Sequence, residues 1–200
     1  MSTRTLLTCG IIAGPLFVTT CLIQAVTREG YDLSRHPISL LSLGEAGWIQ
    51  IANFVVTGLL YVACAAGLRR TAGGTWGPLL VGLLGAGLIV GGVFLTDAGA
   101  GFPAGAPEGA PELTWHGIIH TLGPVVALGS IVVAGPVYLR RFAREGNRGW
   151  ATGSALASAM IVALLAWPDP DGLSVRLLAA TAVACAFVAA VSWRAVDVVG

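Results

Sequence analysis

Six apolar runs, each long enough to cross a bilayer, are separated along the chain by short stretches of Gly, Pro and charged residues. Spanning the hydrocarbon core as a helix takes about 20 residues. The runs predict transmembrane helices at roughly 5–27, 48–68, 76–96, 115–139, 150–167 and 174–194. The loops then fall near 28–47, 69–75, 97–114, 140–149 and 168–173. The pattern predicts an all-α integral membrane bundle forming one domain over residues 1–200.

Two further patterns agree with this parsing. Tryptophan favours the membrane–water interface, and Trp48, Trp76, Trp115, Trp150, Trp167 and Trp193 all fall at predicted helix ends. Arginine marks the cytoplasmic side. With the N-terminus inside, Arg4, Arg69, Arg70, Arg140, Arg141, Arg144, Arg148 and Arg194 are cytoplasmic, and Arg28, Arg35 and Arg176 are outside. The expected topology is therefore N-in, C-in. Acidic residues divide the other way: Glu29, Asp32, Glu45, Asp97, Glu108, Glu112, Asp169 and Asp171 fall outside, Glu145 and Asp197 inside.

Composition explains why lipid must cover the surface. Apolar residues make up 56% of the chain and charged residues 10%, against about 25% charged in a soluble domain; mean hydropathy is +0.83. A net charge of +1 gives no argument for nucleic acid as a partner; membrane lipids are the partners expected. Every basic residue is Arg, which reads as the codon habit of a GC-rich bacterial genome. Cys9, Cys21, Cys64 and Cys185 sit singly in apolar runs, so neither a disulfide framework nor a cysteine-bound metal is expected. The first twenty residues resemble a signal peptide without a good cleavage site, and are read as a retained first helix.

The third run carries Gly77, Gly82, Gly85, Gly87, Gly91 and Gly92. Small residues at such spacing let helix backbones approach closely, so these glycines are expected to face neighbouring helices inside the bundle. Pro15, Pro124 and Pro136 fall within runs, where membrane helices tolerate them.

Candidate chemistry collects on the outer side. One loop reads Tyr31-Asp32-Leu33-Ser34-Arg35-His36-Pro37-Ile38-Ser39-Leu40-Leu41-Ser42-Leu43-Gly44. Its apolar Ile38–Leu43 segment is expected to fold back into the bundle or lie at the interface. The next runs from Asp97 through Gly101-Phe102-Pro103-Ala104-Gly105-Ala106-Pro107-Glu108-Gly109. Its composition predicts an extended, partly polyproline-like flap. The fourth run then opens Trp115-His116-Gly117-Ile118-Ile119-His120. These segments hold all three histidines. In this order, the Arg-His-Pro-Ile-Ser…Leu-Ser-Leu-Gly loop, the Asp followed by Gly-Phe-Pro-x-Gly-x-Pro-x-Gly, and the His-Gly-x-x-His start resemble the bacterial membrane family called domain of unknown function 998. The resemblance covers roughly residues 10–165. It implies a six-helix-type membrane fold and carries no established activity.

His116 and His120 lie four apart, which puts both rings on one helix face. Two such histidines can share a metal such as zinc, with His36 as a third ligand and Asp97 as a fourth ligand or as base for a bound water. Gly117 stands where a metalloprotease would have its general base. Three His and one Asp resemble, in ligand set only, the zinc site of ceramidase-like membrane hydrolases. Asp97, at the predicted C-terminal end of the third helix, meets the unfavourable end of that helix dipole; a contact with Arg35 or a histidine is expected to relieve it.

The reading that follows is an outward-facing His/Asp site in a multi-pass protein of the cell membrane, binding or processing a lipid or other amphiphile, with metal-assisted hydrolysis as its concrete form. Asp97, His116 and His120 are the candidate catalytic residues. His36, His116 and His120 are the candidate metal ligands, and Arg35, Ser39 and Phe102 the candidate substrate contacts. The alternative is a non-catalytic scaffold, subunit or small-molecule carrier in which these residues only fasten the loops. A haem protein is disfavoured because the paired histidines share one helix. A proton-coupled transporter is disfavoured because no Asp, Glu or Arg lies mid-membrane. An isoprenoid cyclase with Asp97 as proton donor stays open.

Overall fold

A computed structural model of the chain describes residues 1–71, 74–169 and 172–199. Six α-helices follow one another: α1 (Thr3–Thr27), α2 (Gly47–Thr71), α3 (Trp76–Val93), α4 (Trp115–Arg144), α5 (Arg148–Leu165) and α6 (Leu173–Val199), with a 3-10 turn at Ile38–Ser42 between the first two. All six are long and apolar enough to cross a membrane. Each packs on its chain neighbours, and α6 closes the ring on α1. Consecutive helices run in opposite directions, so the 28–46 and 94–114 connections and residues 166–169 share one end of the bundle. The start of α1, the end of α6 and the 145–147 turn share the opposite end. Asp171, one of the acidic residues assigned to the loop side, lies outside the described residues.

The outer surface of the bundle is apolar. Leu16, Ile23, Leu59, Leu83, Leu122, Met160 and Val162 are all exposed, which suits lipid as the surrounding solvent. Trp48, Trp76, Trp115, Trp167 and Trp193 also point outward at the helix ends, at the height where an aromatic belt meets the headgroups.

Glycine sets how closely the helices approach. A methyl placed on Gly85 would come 2.5 Å from the Gly58 carbonyl of α2, and one on Gly87 would come 2.5 Å from the Gly123 carbonyl of α4. α3 is therefore held on both sides by backbone-to-backbone contact. Gly91 differs: its nearest neighbour would be the His120 ring at 3.8 Å, so it borders open space. α5 is the least buried helix, and nothing lies within 4 Å of a methyl placed on Gly149 or Gly153.

Several helix ends depart from the sequence reading: α2 runs on to Thr71 and α6 to Val199, and two further departures bear on the loops. α3 stops at Val93, because Phe94 turns to extended backbone. α4 runs on to Arg144, absorbing half of the predicted 140–149 loop. Arg141 and Arg144 in its last turn favour the negative end of the dipole. Gly146 then takes φ +74° and stops the helix. The 94–114 connection is also not an extended flap. It folds on itself, with the Ala100 amide on the Gly109 carbonyl and the Gly101 amide on the Pro107 carbonyl. Positive φ at Gly101 and Gly105 supplies the turns.

A buried polar seam joins α1 to α2. Gln24 donates to Gln50 Oε1 at 2.7 Å, and Asn53 donates to the Phe17 carbonyl at 3.1 Å and to Gln50 at 3.3 Å. Gln50 and Thr57 are fully buried. In hydrocarbon an unpaired amide is costly, so this pairing fixes the register of the two helices.

Candidate functional site

The loop end is assembled from backbone carbonyls answered by side chains. His36, 3% exposed, has both ring nitrogens occupied. Its Nδ1 accepts from the Asp32 amide at 2.9 Å, so Nε2 carries the proton and donates to the Ala100 carbonyl at 3.0 Å. His36 thus clamps the second loop onto the first. Phe102, 2% exposed, packs against the rings of Tyr31 and His36 at centroid distances of 5.4 and 5.5 Å. Arg28 also lies over the Phe102 ring, 5.6 Å from its centroid, and donates to the Leu41 and Leu43 carbonyls. Burial pushes the Tyr31 hydroxyl well above its ordinary pKa, and it donates to the His36 carbonyl at 2.6 Å.

Asp97 occupies the opposite electrostatic position from the one expected. Since α3 ends at Val93, the carboxylate is free of that dipole and sits instead over the first turn of α4. It accepts from the Thr114 amide at 2.9 Å and the Thr114 hydroxyl at 2.5 Å, while Thr114 Oγ1 caps the helix by accepting from the Gly117 amide at 3.2 Å. A carboxylate at a helix N-terminus is stabilised by the dipole. The two Thr114 hydrogen bonds hold Asp97 below the usual carboxylate range, and the nearby His116 ring lowers it further by a smaller amount. Gly117 is required by this arrangement: a methyl there would collide with the Asp97 carboxylate.

His116 is half-exposed, with Nδ1 3.8 Å from Asp97 Oδ1. Its Nδ1–H donates to the Leu95 carbonyl at 3.1 Å. The expected His–Asp contact is therefore present. Arg35 does not join it; its guanidinium reaches Glu108 at 3.7 Å on the exposed rim. His120, 4% exposed, donates Nδ1–H to the Phe94 carbonyl at 2.7 Å. A carbonyl can only accept, so the partner sets the tautomer and leaves Nε2 as a lone-pair acceptor. Nε2 has no hydrogen-bond partner among the described residues.

His120 lines an apolar cavity of about 110 Å³ in the middle of the bundle, together with Ile38, Ser39, Phe17, Phe54, Gly91 and Thr181. The structure thus brings His120 and Ser39 to one space, and Asp97, Thr114 and His116 to a second cluster linked to it through residues 94–97. His36 and Phe102 form the buried core of the cap. Phe102, a candidate substrate contact, is buried within the cap against Tyr31, His36 and Arg28. The proposed metal set is not assembled either. Among the described residues no group of three His, Cys, Asp or Glu side chains is placed to hold one ion, and His36, His116 and His120 each commit a ring nitrogen to a backbone carbonyl.

Sequence reasoning missed Arg28 and Thr114, whose partners are far along the chain. It also missed the Gln24–Gln50–Asn53 seam. Its signal was present: Gln50, Asn53 and Thr57 recur at helical spacing inside an apolar run.

No curated protein and no solved structure matches the chain. A family model described as protein of unknown function (DUF998) matches residues 11–194, nearly the whole bundle with its loop cap, and the chain therefore belongs to that family.

Proposed function

We propose that this protein binds the apolar part of a lipid or other amphiphile in the central cavity, with His120 Nε2 as the polar contact. One observation carries the reading: the hydrogen bond to Phe94 leaves a single unpaired ring nitrogen on a histidine that borders an otherwise apolar space. A dry cavity of about 150 Å³ holds benzene, so 110 Å³ suits one segment of an acyl or isoprenoid chain. A ligand hydroxyl or protonated headgroup atom would donate to Nε2, and the same nitrogen is able to take a proton as a general base.

Asp97, His116 and His36 serve this site as fasteners of its cap. Their bonding capacity goes to Thr114, Leu95, Asp32 and Ala100, which favours binding over metal-assisted hydrolysis. The distribution of arginine favours placing this end outside a cell membrane, with both termini inside.

Gly91→Leu tests the reading. Its side chain would grow into the cavity, where a first methyl meets nothing closer than 3.8 Å. Wild type purified in mild detergent should carry a defined amphiphile by mass spectrometry, and Gly91→Leu should lose it while keeping its melting temperature. An unchanged lipid complement in the folded variant, or none in the wild type, would overturn the proposal.

A further inference from the structure

At the opposite end of the bundle a cleft of about 480 Å³ opens between the start of α3 and the last turns of α4. Arg140 and Arg144, one helical turn apart, line it, and neither guanidinium has a hydrogen bond or ion pair among the described residues. Arg141 also lines it but is paired with Glu145 at 2.9 Å, and Glu145 is further held by Arg194 at 3.4 Å. The one carboxylate of the cleft is therefore already engaged, which leaves two positive charges in excess.

The α3 side is built to match. Among the described residues no side chain caps α3, so the Trp76 and Gly77 amides stand at the positive end of its dipole without a capping acceptor there. Such an N-terminus favours an anion. An independent observation points to a ligand. Tyr138 is 1% exposed, lines the cleft, and its hydroxyl has no hydrogen-bond partner among the described residues. It ends beside Gly77, where a methyl would come 2.8 Å from the Tyr138 oxygen. An unpaired buried hydroxyl is unfavourable unless something answers it.

From this juxtaposition we infer that the cleft is a phosphate-binding site, with Arg140 and Arg144 as charge partners and the α3 amides and the Tyr138 hydroxyl as donors. Trp76, exposed beside the cleft, places it at headgroup height. The phosphate is that of an anionic phospholipid headgroup or of a soluble phosphate, and the test separates the two.

Native mass spectrometry of the full chain in neutral detergent would be run with dioctanoyl phosphatidylglycerol and, separately, dioctanoyl phosphatidylcholine. Thermal unfolding would be followed with millimolar inorganic phosphate. Wild type should prefer phosphatidylglycerol. Loss of each cleft arginine should weaken binding about fivefold, so Arg140→Gln with Arg144→Gln should weaken it about 25-fold. Arg148→Gln removes the same charge outside the cleft and should change nothing. Tyr138→Phe should weaken binding about threefold and leave the ligand-free melting temperature unchanged, which a purely structural hydroxyl would not do. Stabilisation by inorganic phosphate with the same dependence on the variants would assign the site to a soluble phosphate. Equal loss in Arg148→Gln, or no preference for either phosphate probe, would overturn the inference.

Discussion

At the loop end of the bundle the histidines, Asp97 and Arg28 answer backbone groups. His36 joins Asp32 to Ala100, Asp97 holds Thr114, His116 holds Leu95, and Arg28 holds Leu41 and Leu43. At the arginine end Arg140 and Arg144 answer nothing among the described residues, and the Tyr138 hydroxyl is buried without a partner. The first end is a cap whose polar groups maintain its shape. The second is a surface whose polar groups keep unused bonding capacity among the described residues. Residue type alone does not make the distinction, since histidine and aspartate look more chemical than arginine beside a membrane. What separates them is unused bonding capacity, and at the loop end His120 Nε2 and the buried Ser42 hydroxyl are among the few groups that keep it among the described residues.

The comparison can be broken most forcefully at His36. His36→Ala removes a ring packed on Tyr31 and Phe102 and strands the Asp32 amide and Ala100 carbonyl. The expected cost is about 2–4 kcal/mol in thermal or denaturant unfolding. Arg140→Ala without added lipid should stay within about 0.5 kcal/mol. Equal losses would erase the difference between the two ends.

Gly117→Ala sharpens it with a single methyl. The carboxylate of Asp97 would have to leave its place over α4, at a cost of about 1–3 kcal/mol. A neutral result would mean that Asp97 does not sit there.

pH acts on the same contact more gently. The folded-state pKa of Asp97 is lowered, first by the Thr114 hydrogen bonds. Its contribution is therefore fully present above the ordinary Asp value of about 3.9, and it is lost as pH falls below that value through the depressed one. Melting temperature should decline in that window for wild type, and the decline should be shallower in Asp97→Asn. Asp32 and Glu145 also have lowered values, so the comparison must be between these two proteins.

The smallest effect belongs to Arg35. Its pair with Glu108 is exposed on both sides, so Arg35→Gln should cost at most about 0.2–1 kcal/mol, and less in high salt.

The six spans were legible because hydrocarbon imposes a length and an apolar surface, and the tryptophans punctuate both. Helix ends were less so. Phe94-Leu95-Thr96 is as apolar as the helix before it, and hydropathy does not register that the carbonyls of Phe94 and Leu95 are needed by His120 and His116. The Asp97 cap was hidden for a related reason. Thr114 and Gly117 have local N-cap spacing, but the carboxylate they accommodate lies 17 positions away from Thr114, a separation no periodicity reports. The spacing of His116 and His120 was plain in the sequence, yet the ring partners that decide their chemistry are backbone atoms, which every residue has. The polar seam was readable from Gln50, Asn53 and Thr57, and attention to full charges passed over it.

Histidine tautomers test the central claim most directly. The chain has three histidines, which makes nitrogen-resolved NMR of histidine-labelled protein in detergent tractable, with His36→Phe and His120→Phe for assignment. His36 should hold its proton on Nε2 and His120 on Nδ1, and addition of the amphiphile recovered with the wild type should shift His120 Nε2 while leaving the His36 ring unmoved. The same tautomer at both positions, or a ligand that shifts His36 and not His120, would contradict the assignment of one ring to the cap and the other to the cavity.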